Sequence, residues 1–172
     1  FTIDQSLRFN DDDTAYLSTT LGTATHNDRL TFSFWIKRCT TGSWHKILAR
    51  YTDDNNRFYI GFGSNDSIYI LQGDELLFYQ TTQVFRDPSA WYHIVVAIDT
   101  GQGTPSDRVR LYVNGVEVTD FSSETDPAQN SDLYFQTATS TEIKLGQYNS
   151  SEYVDGYLAE VHFIDGTQLT PT

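Results

Sequence analysis

The chain is short of the residues that build cross-linked or membrane-spanning proteins. Its 172 residues include one cysteine, Cys39, and no methionine, so no internal disulfide can form and stability has to come from a packed core. No apolar run approaches the roughly 20 residues that span a bilayer, and no secretory signal pattern opens the chain. Because the sequence begins at Phe1, we expect it to be a processed or excised piece of a longer protein.

Positive charge is also scarce. Lys and Arg number 11 against 23 Asp and Glu, and the formal net charge is −12. Nucleic-acid grooves need Lys and Arg to replace phosphate counterions, so we expect no nucleic-acid partner and no binding to an anionic membrane. An acidic chain suits high solubility and cations held at carboxylate-rich loops. The alternative is an ordinary solvated surface.

The clearest signal among the residues present is a β-hairpin. Asn114-Gly115 separates two runs of alternating polarity, and both central residues of a type I′ turn need positive φ, which Asn and Gly adopt most readily. The register predicted from a two-residue turn pairs Val113 with Val116, Tyr112 with Glu117 and Leu111 with Val118. Apolar partners then share one face, which indicates an antiparallel sheet with one buried side.

Most of the remaining segments are also typical of strands. The run 30–38 alternates, so Leu30, Phe32, Phe34 and Ile36 share one face. Further candidate strands, separated by turn-forming Gly, Asn, Asp, Ser and Thr, are 6–9, 15–18, 45–51, 57–62, 67–71, 75–80, 142–146 and 157–164. No segment has a sustained helical period. The sequence therefore predicts an all-β, antiparallel β-sandwich in a single domain over residues 1–172.

Several of these segments, in order along the chain, carry a family resemblance. They are 6–9 with 15–17, 32–37, 91–96, 109–115, 155–161 and 169–171. Together they resemble the laminin G-like branch of the concanavalin A-like lectin/glucanase superfamily. The resemblance implies a jelly roll of two curved sheets. Members mostly bind glycans or other proteins, some hydrolyse glycosides, and many hold one Ca²⁺ at the rim. Residues 84–93 resemble structural proteins of marine bacteriophages, which implies a virion or extracellular location.

Catalysis is not expected. Glycoside hydrolysis needs two carboxyl groups, about 5 Å apart or somewhat further, and glucanases of the superfamily carry Glu-x-Asp-x-x-Glu on one strand. The nearest match, residues 124–129, ends in Gln129 and contains Pro127. Glutamine cannot protonate a leaving group, and proline disfavours a central strand. We therefore interpret this segment as a loop and the protein as a non-enzyme.

A second acidic position lies in the last predicted strand. Strict alternation through 157–163 puts Glu160 and His162 on one face with Leu158, and Phe163 on the other. Glu160 and His162 are then either a carboxylate–imidazole pair on a concave face or part of a solvated polar face.

A metal site is predicted at one rim of the sandwich. Ca²⁺ takes about six to eight hard oxygen ligands, and the acidic loop 10–13 joins the first two strands. The resemblance implies that this loop pairs with a turn near the C-terminus, and first and last strands of such sandwiches commonly lie side by side. The predicted ligands of one structural Ca²⁺ are Asn10, Asp12 or Asp13, and Asp155. The alternative is two solvated Asx turns, and a thermal melt with and without EDTA separates the two.

Two loops are typical of sugar recognition, which favours flat rings beside flexible hydrogen-bonding groups. Aromatic residues make up 15% of the chain, enough to fill a core and leave rings over. One loop joins Trp44 and Tyr51 to residues 53–56, and the other is 147–153. The predicted ligand-binding residues are Trp44, Tyr51, Asp54, Asn56, Tyr148, Asn149 and Tyr153. The alternative is that these tyrosines line half-buried strand faces.

Together these patterns predict a lectin-like carbohydrate-recognition module of a phage virion or tail-associated protein, with a role in adhesion. Its expected partner is a glycan or cell-surface polysaccharide. Other virion proteins and further copies of the chain are additional candidates. The first alternative is a structural, oligomerisation or decoration domain without a sugar ligand. The second, less favoured, is a glycoside hydrolase.

Overall fold

The computed structural model describes residues 3–138 and 140–171 as two antiparallel sheets packed face to face. In chain order the strands are β1 Leu7–Phe9, β2 Leu17–Thr19, β3 Arg29–Arg38, β4 His45–Tyr51, β5 Arg57–Phe62, β6 Ser67–Gln72, β7 Leu77–Val84, β8 Tyr92–Asp99, β9 Val109–Val113, β10 Val116–Val118, β11 Phe121–Thr125, β12 Ile143–Leu145 and β13 Gly156–Asp165. A short helix, α1, covers Tyr134–Thr137, and a 3-10 turn covers Pro105–Asp107. The predicted all-β sandwich is confirmed. Within the described ranges, no helix is long and apolar enough to cross a membrane.

Neighbouring strands are often distant in the chain. The first sheet has the order β1-β13-β3-β8-β9-β10, and the second has the order β11-β7-β6-β5-β4-β12-β2. The first and last strands pair, with Phe9 opposite Gly156, as predicted. In the second sheet β12 lies between β4 and β2. These long-range pairs decide which loops meet at the rims.

The predicted hairpin register is confirmed. Val113 pairs with Val116, Tyr112 with Glu117 and Leu111 with Val118. Asn114 and Gly115 have φ of 52° and 82°, the left-handed values that a type I′ turn needs. Local turn chemistry is therefore sufficient to set this pairing.

The core lies between the sheets and is built from one face of each strand. On β3 the predicted inward residues Leu30, Phe32, Phe34 and Ile36 are at most 2% exposed. They pack with inward residues of the second sheet, including Phe58, Ile60, Phe62 and Ile70. Period-two alternation thus separates an inner apolar face from an outer face on each sheet.

Residues 124–129, which were predicted to form a loop, begin within a β-strand. Glu124 belongs to β11, an edge strand that pairs with β7 opposite Tyr79. Pro127 lies beyond the end of this strand, where no ladder hydrogen bond is required of it. The interpretation of the whole segment as a loop was wrong for Glu124 and Thr125, because an edge strand can end just before a proline.

Strict alternation through β13 was also wrong. The register shifts between Ala159 and His162, and Glu160 has a left-handed φ of 49°. This bulge inserts one residue and changes the phase, so Leu158 and Phe163 both contact the core. Glu160 and His162 still lie close, with Oε2 and Nε2 3.4 Å apart and both side chains about half exposed.

Candidate functional site

The outer face of the second sheet carries a continuous group of aromatic rings. Alternation along β5 and β6 sends Tyr59 and Tyr69 outward while their neighbours fill the core. We call this group the aromatic face, and its members are Trp44, Tyr51, Tyr59, Tyr69, Phe78 and Tyr148. Ring centroids lie 4.9 Å apart for Trp44–Tyr69, 5.5 Å for Tyr59–Tyr148 and 5.9 Å for Tyr69–Phe78.

The two loops predicted to bind sugar meet at one end of this face. Tyr51 ends β4, and Tyr148 lies in the 146–155 loop that connects β12 to β13. Because β12 pairs with β4, this loop returns alongside β4 and brings the two rings to a centroid distance of 5.0 Å at 67°. The structure therefore unites two predicted residues that are far apart in the sequence.

A small polar cleft opens beside these rings. Its volume is about 310 Å³, and its lining is Ala49, Tyr51, Ser140, Thr141, Glu142, Lys144 and Asn149. Tyr51 and Asn149, one from each predicted loop, thus line the same cleft. A ring next to hydroxyl, amide, carboxylate and ammonium groups can contact both the apolar and the hydroxyl-bearing faces of a sugar.

The acidic loop 53–56 forms a compact turn whose polar side chains bond within the loop. Asp54 pairs with Arg57 at 3.3 Å, with the Asp54 side chain 81% exposed. Asn56 donates from Nδ2 to both carboxylate oxygens of Asp53 at 3.0 Å. Asp54 and Asn56 lie outside the lining of the cleft, because local Asx hydrogen bonds hold this loop in a compact turn.

Tyr153 supports the 146–155 loop from within. Its hydroxyl accepts a 2.6 Å hydrogen bond from Nε2 of Gln147, which is itself 3% exposed. This contact ties the two ends of the predicted segment 147–153 together. Tyr153 is therefore placed to shape the loop that carries Tyr148 and Asn149.

Lys46 lies under the aromatic face, and sequence reasoning missed it. Its Nζ is 3.7 Å from the Trp44 ring centroid and 3.8 Å from that of Tyr59. It is also 3.7 Å from Oε2 of Glu152, and the lysine side chain is 4% exposed. Burial lowers the pKa of Lys46 to about 8, against the opposing effect of Glu152. A lysine in an alternating strand is usually solvated, so no local pattern signals this burial.

The phenols around Lys46 stay neutral. Burial raises the pKa of the Tyr59 and Tyr148 hydroxyls above the ordinary value. Both groups therefore remain available as hydrogen-bond donors at physiological pH.

The acidic loop 10–13 does lie beside Asp155. The pairing of Phe9 with Gly156 places the residues that follow β1 next to the residues that precede β13. The calcium prediction required these two loops, 10–13 and the turn at Asp155, to lie next to each other.

The side chains at this rim do not fit a Ca²⁺ held through Asp155. Arg8 Nη2 bonds Oδ1 of Asp155 at 2.5 Å, so a cation already neutralises that carboxylate. Asn10 donates to Asp13 at 2.7 Å, and Asp12 is exposed on the turn. No group of three or more His, Cys, Asp or Glu in the described part of the chain could hold a metal. The calcium site stays a prediction.

Comparisons with known proteins agree with this fold. The sequence profile of the concanavalin A-like lectin/glucanases superfamily, in its laminin G form, matches residues 11–172. The LG1–3 region of the laminin α2 chain superposes with a TM-score of 0.64 at 11% identity, over 99% of this chain and 34% of that one. A comparison with curated proteins gives no significant match.

Two further solved structures are similar at low identity. A heptameric pentraxin from Limulus polyphemus has a TM-score of 0.56 at 15% identity, over 86% of this chain and 68% of that one. Domain 4 of a GH43 arabinanase from Geobacillus stearothermophilus, solved with arabinotriose, has a TM-score of 0.54 at 17% identity, over 87% and 65%. The chain spans about two thirds of these two structures and about a third of the laminin region. At such identities the likeness shows the fold alone.

Proposed function

Because the chain belongs to the concanavalin A-like lectin/glucanases superfamily, we propose that it is a non-catalytic carbohydrate-recognition module. The observation that carries this proposal is the contact between Tyr51 and Tyr148, whose ring centroids are 5.0 Å apart, beside the polar cleft that Tyr51 and Asn149 line. The fold is of the kind found in carbohydrate-binding and structural modules. The glycan in complex with the arabinanase domain supports the proposal by analogy.

The geometry suits a short segment of a neutral glycan. Tyr51 and Tyr148 are half-buried, so their orientation is set by packing while part of each ring remains open for stacking on sugar C–H groups. The cleft volume of about 310 Å³ lies at the lower end of the range for small-ligand sites. A pre-formed site of this size loses little entropy on binding.

The composition of the cleft supports binding without hydrolysis. Among the described residues, its lining contains one carboxylate, Glu142, whereas glycosidases need a pair. Glu160 lies on β13 in the other sheet, so it is not placed to act with Glu142. The proposed role is therefore recognition.

The proposed partner is a cell-surface glycan, and the proposed location is a virion or the extracellular space. The resemblance of residues 84–93 to structural proteins of marine bacteriophages supports this location. A net charge of −12 is compatible with a soluble, outward-facing module.

A glycan array followed by titration calorimetry tests the proposal. We expect the wild-type protein to bind a glycan, and Tyr51→Ala and Tyr148→Ala each to weaken binding about fivefold to tenfold through loss of a stacking ring. Tyr157→Ala is the matched control, because Tyr157 lies on β13 of the other sheet. An array without binding, or affinity that both substitutions leave unchanged, would contradict the proposal.

A second candidate function is assembly with other virion proteins or further copies of the chain. Leu7 and Leu17 lie on the edge strands β1 and β2 and are 56% and 50% exposed. Both line the mouth of an apolar cleft of about 800 Å³ between the sheets. Exposed apolar edges of this kind often mark protein contacts.

A further inference from the structure

We propose that the chain has a second glycan site, specific for uncharged sugars, in a groove on the outer face of the first sheet. The groove shares no lining residue with the polar cleft beside Tyr51 on the second sheet. This inference rests on the proposed function for its class of ligand, since both sites are proposed to take sugars. One copy of the chain would then contact two glycan chains.

The floor of the groove is formed by the two central strands of the first sheet. Ser33 pairs with Val95 and Trp35 pairs with His93 across β3 and β8. Cross-strand partners point to the same face, so these four side chains lie outward while their neighbours along each strand fill the core. The groove above them has a volume of about 830 Å³, within the range of small-ligand sites.

Both walls of the groove are fixed by hydrogen bonds. On one side is the hairpin turn, where Asn114 donates from its backbone nitrogen to the His93 carbonyl and accepts at Oδ1 from the His93 backbone nitrogen, both at 2.8 Å. On the other side is the segment 169–171. Oγ1 of the buried Thr31 donates to the Thr167 carbonyl at 2.7 Å and accepts from the Leu169 backbone nitrogen at 2.9 Å. A groove with fixed walls loses little entropy when it binds a ligand.

Aromatic rings line this groove and are already oriented. The rings of Trp35 and His93 stack with centroids 4.9 Å apart at 22°, and Nε2 of His93 is 2.9 Å from Oγ of Ser33. Trp91 lies two residues before His93 and also lines the groove, so two of the three tryptophans of the chain are in this lining. Both tryptophans are half-buried. Flat rings held in this way suit the apolar C–H faces of a sugar.

The groove is uncharged although the chain is strongly acidic. Its described lining contains no Asp, Glu, Lys or Arg, whereas the net charge of the chain is −12. Burial, and then the nearby His162, lower the pKa of His93, so its imidazole is neutral at pH 7. The polar groups in the lining are hydroxyl and amide groups, such as those of Ser33, Asn114 and Thr170. A charged ligand would lose its hydration here without a counter-charge, which favours a neutral sugar.

A glycan array of neutral and acidic oligosaccharides, probed at pH 7 with Tyr51→Ala, isolates the groove from the cleft. We expect Tyr51→Ala to keep a set of signals on neutral oligosaccharides, and the addition of Trp91→Ala to remove them. The neutral oligosaccharide with the strongest of these signals is then titrated into both proteins by calorimetry. The added Trp91→Ala should weaken its affinity about tenfold through loss of a stacking ring. Tyr157→Ala in place of Trp91→Ala is the matched control, because Tyr157 lies on β13 of the same sheet but outside the groove lining.

A charge on the groove wall provides a second variant, which decides the test if Trp91→Ala does not fold. Thr170 is exposed and lies outside the strands, so Thr170→Asp should leave the fold intact. We expect it to weaken binding of the same oligosaccharide about fivefold, because the carboxylate loses hydration against an uncharged ligand. Thr167→Asp, also exposed and in the same segment but outside the lining, should bind like the parent protein.

The pattern of loss separates this inference from the proposed function. Affinity that neither Trp91→Ala nor Thr170→Asp reduces, or groove signals on acidic oligosaccharides in place of neutral ones, would overturn the inference and leave the cleft as the glycan site. Affinity that falls with these two substitutions, but not with Tyr51→Ala or Tyr148→Ala, would support the groove and contradict the proposed cleft. An array without any signal would count against both sites.

Discussion

Arg38 is one of the largest fully buried side chains, and Asp66 neutralises it. Arg38 is 1% exposed, with Nη2 3.0 Å from Oδ1 of Asp66, and it donates from Nη1 to the carbonyl of Phe85 at 2.6 Å. Asp66 also accepts from the backbone nitrogen of Gly42 at 2.7 Å and from Arg86 at 2.9 Å. Burial disfavours ionisation of Asp66, but these hydrogen bonds outweigh it and lower its pKa. A single carboxylate thus joins three loops at the end of the sandwich.

We expect Asp66→Asn to lower the free energy of unfolding at pH 7 by about 3 kcal/mol, because it leaves Arg38 buried without a counter-charge. Since the pKa of Asp66 is lower in the folded state, its contribution is present above the ordinary Asp pKa and disappears as pH falls below it. The difference between wild type and variant should therefore shrink from pH 7 to pH 3 in denaturant unfolding. Asp54→Asn, at an 81% exposed side chain, is the control and should change stability little. Equal effects of the two substitutions would contradict this assignment.

Among the strands, the β4–β5 pair shows how a bulge sets the direction of a side chain next to the aromatic face. Its register shifts between Lys46 and Leu48, and Lys46 lies opposite Gly61. A Cβ at Gly61 would stand 2.3 Å from the His45 carbonyl oxygen and 2.9 Å from the Lys46 Cα. Both are backbone atoms that cannot move without breaking the ladder, so this close approach requires glycine. The bulge and the glycine together leave Lys46 facing the aromatic rings.

Gly61→Ala should therefore destabilise the protein by about 2 kcal/mol, as overpacking does, which corresponds to a melting midpoint lower by about 4–8 °C. The matched control is Gly103→Ala, because a Cβ at Gly103 meets no atom within 4 Å. Thermal unfolding followed by circular dichroism measures both. Similar midpoints for the two variants would contradict this prediction, because β4 and β5 could then separate with little loss of stability.

For the whole molecule, each surface of the sandwich has a different character. The aromatic face covers one sheet, whereas Leu7 and Leu17 are exposed on adjacent strand edges. A net charge of −12 makes copies of the chain repel each other at low ionic strength, which opposes contact through the apolar edges. The balance between these two effects decides between a monomeric recognition module and an assembly module.

Light scattering distinguishes these two functions. We expect a monomer at low salt for both the wild type and Leu17→Glu, because charge repulsion exceeds the gain from burying two leucines. A defined oligomer in the wild type that Leu17→Glu dissociates would instead favour the assembly function. Thr19→Glu on the same strand serves as the charge control, since Thr19 is already exposed and polar.

The sequence by itself determined most of the strands, the hairpin register and the two aromatic loops, because alternation and turn chemistry act between residues close in the chain. Tertiary structure decided what those loops face. The insertion of β12 beside β4 brought Tyr148 to Tyr51, and bulges turned Lys46 under the rings and changed the phase of β13. Asp54 stayed outside the cleft because local hydrogen bonds to Asp53 hold its loop in a compact turn. Strand neighbours far apart in sequence, and single-residue bulges, depend on packing of the whole sandwich, which no local pattern encodes.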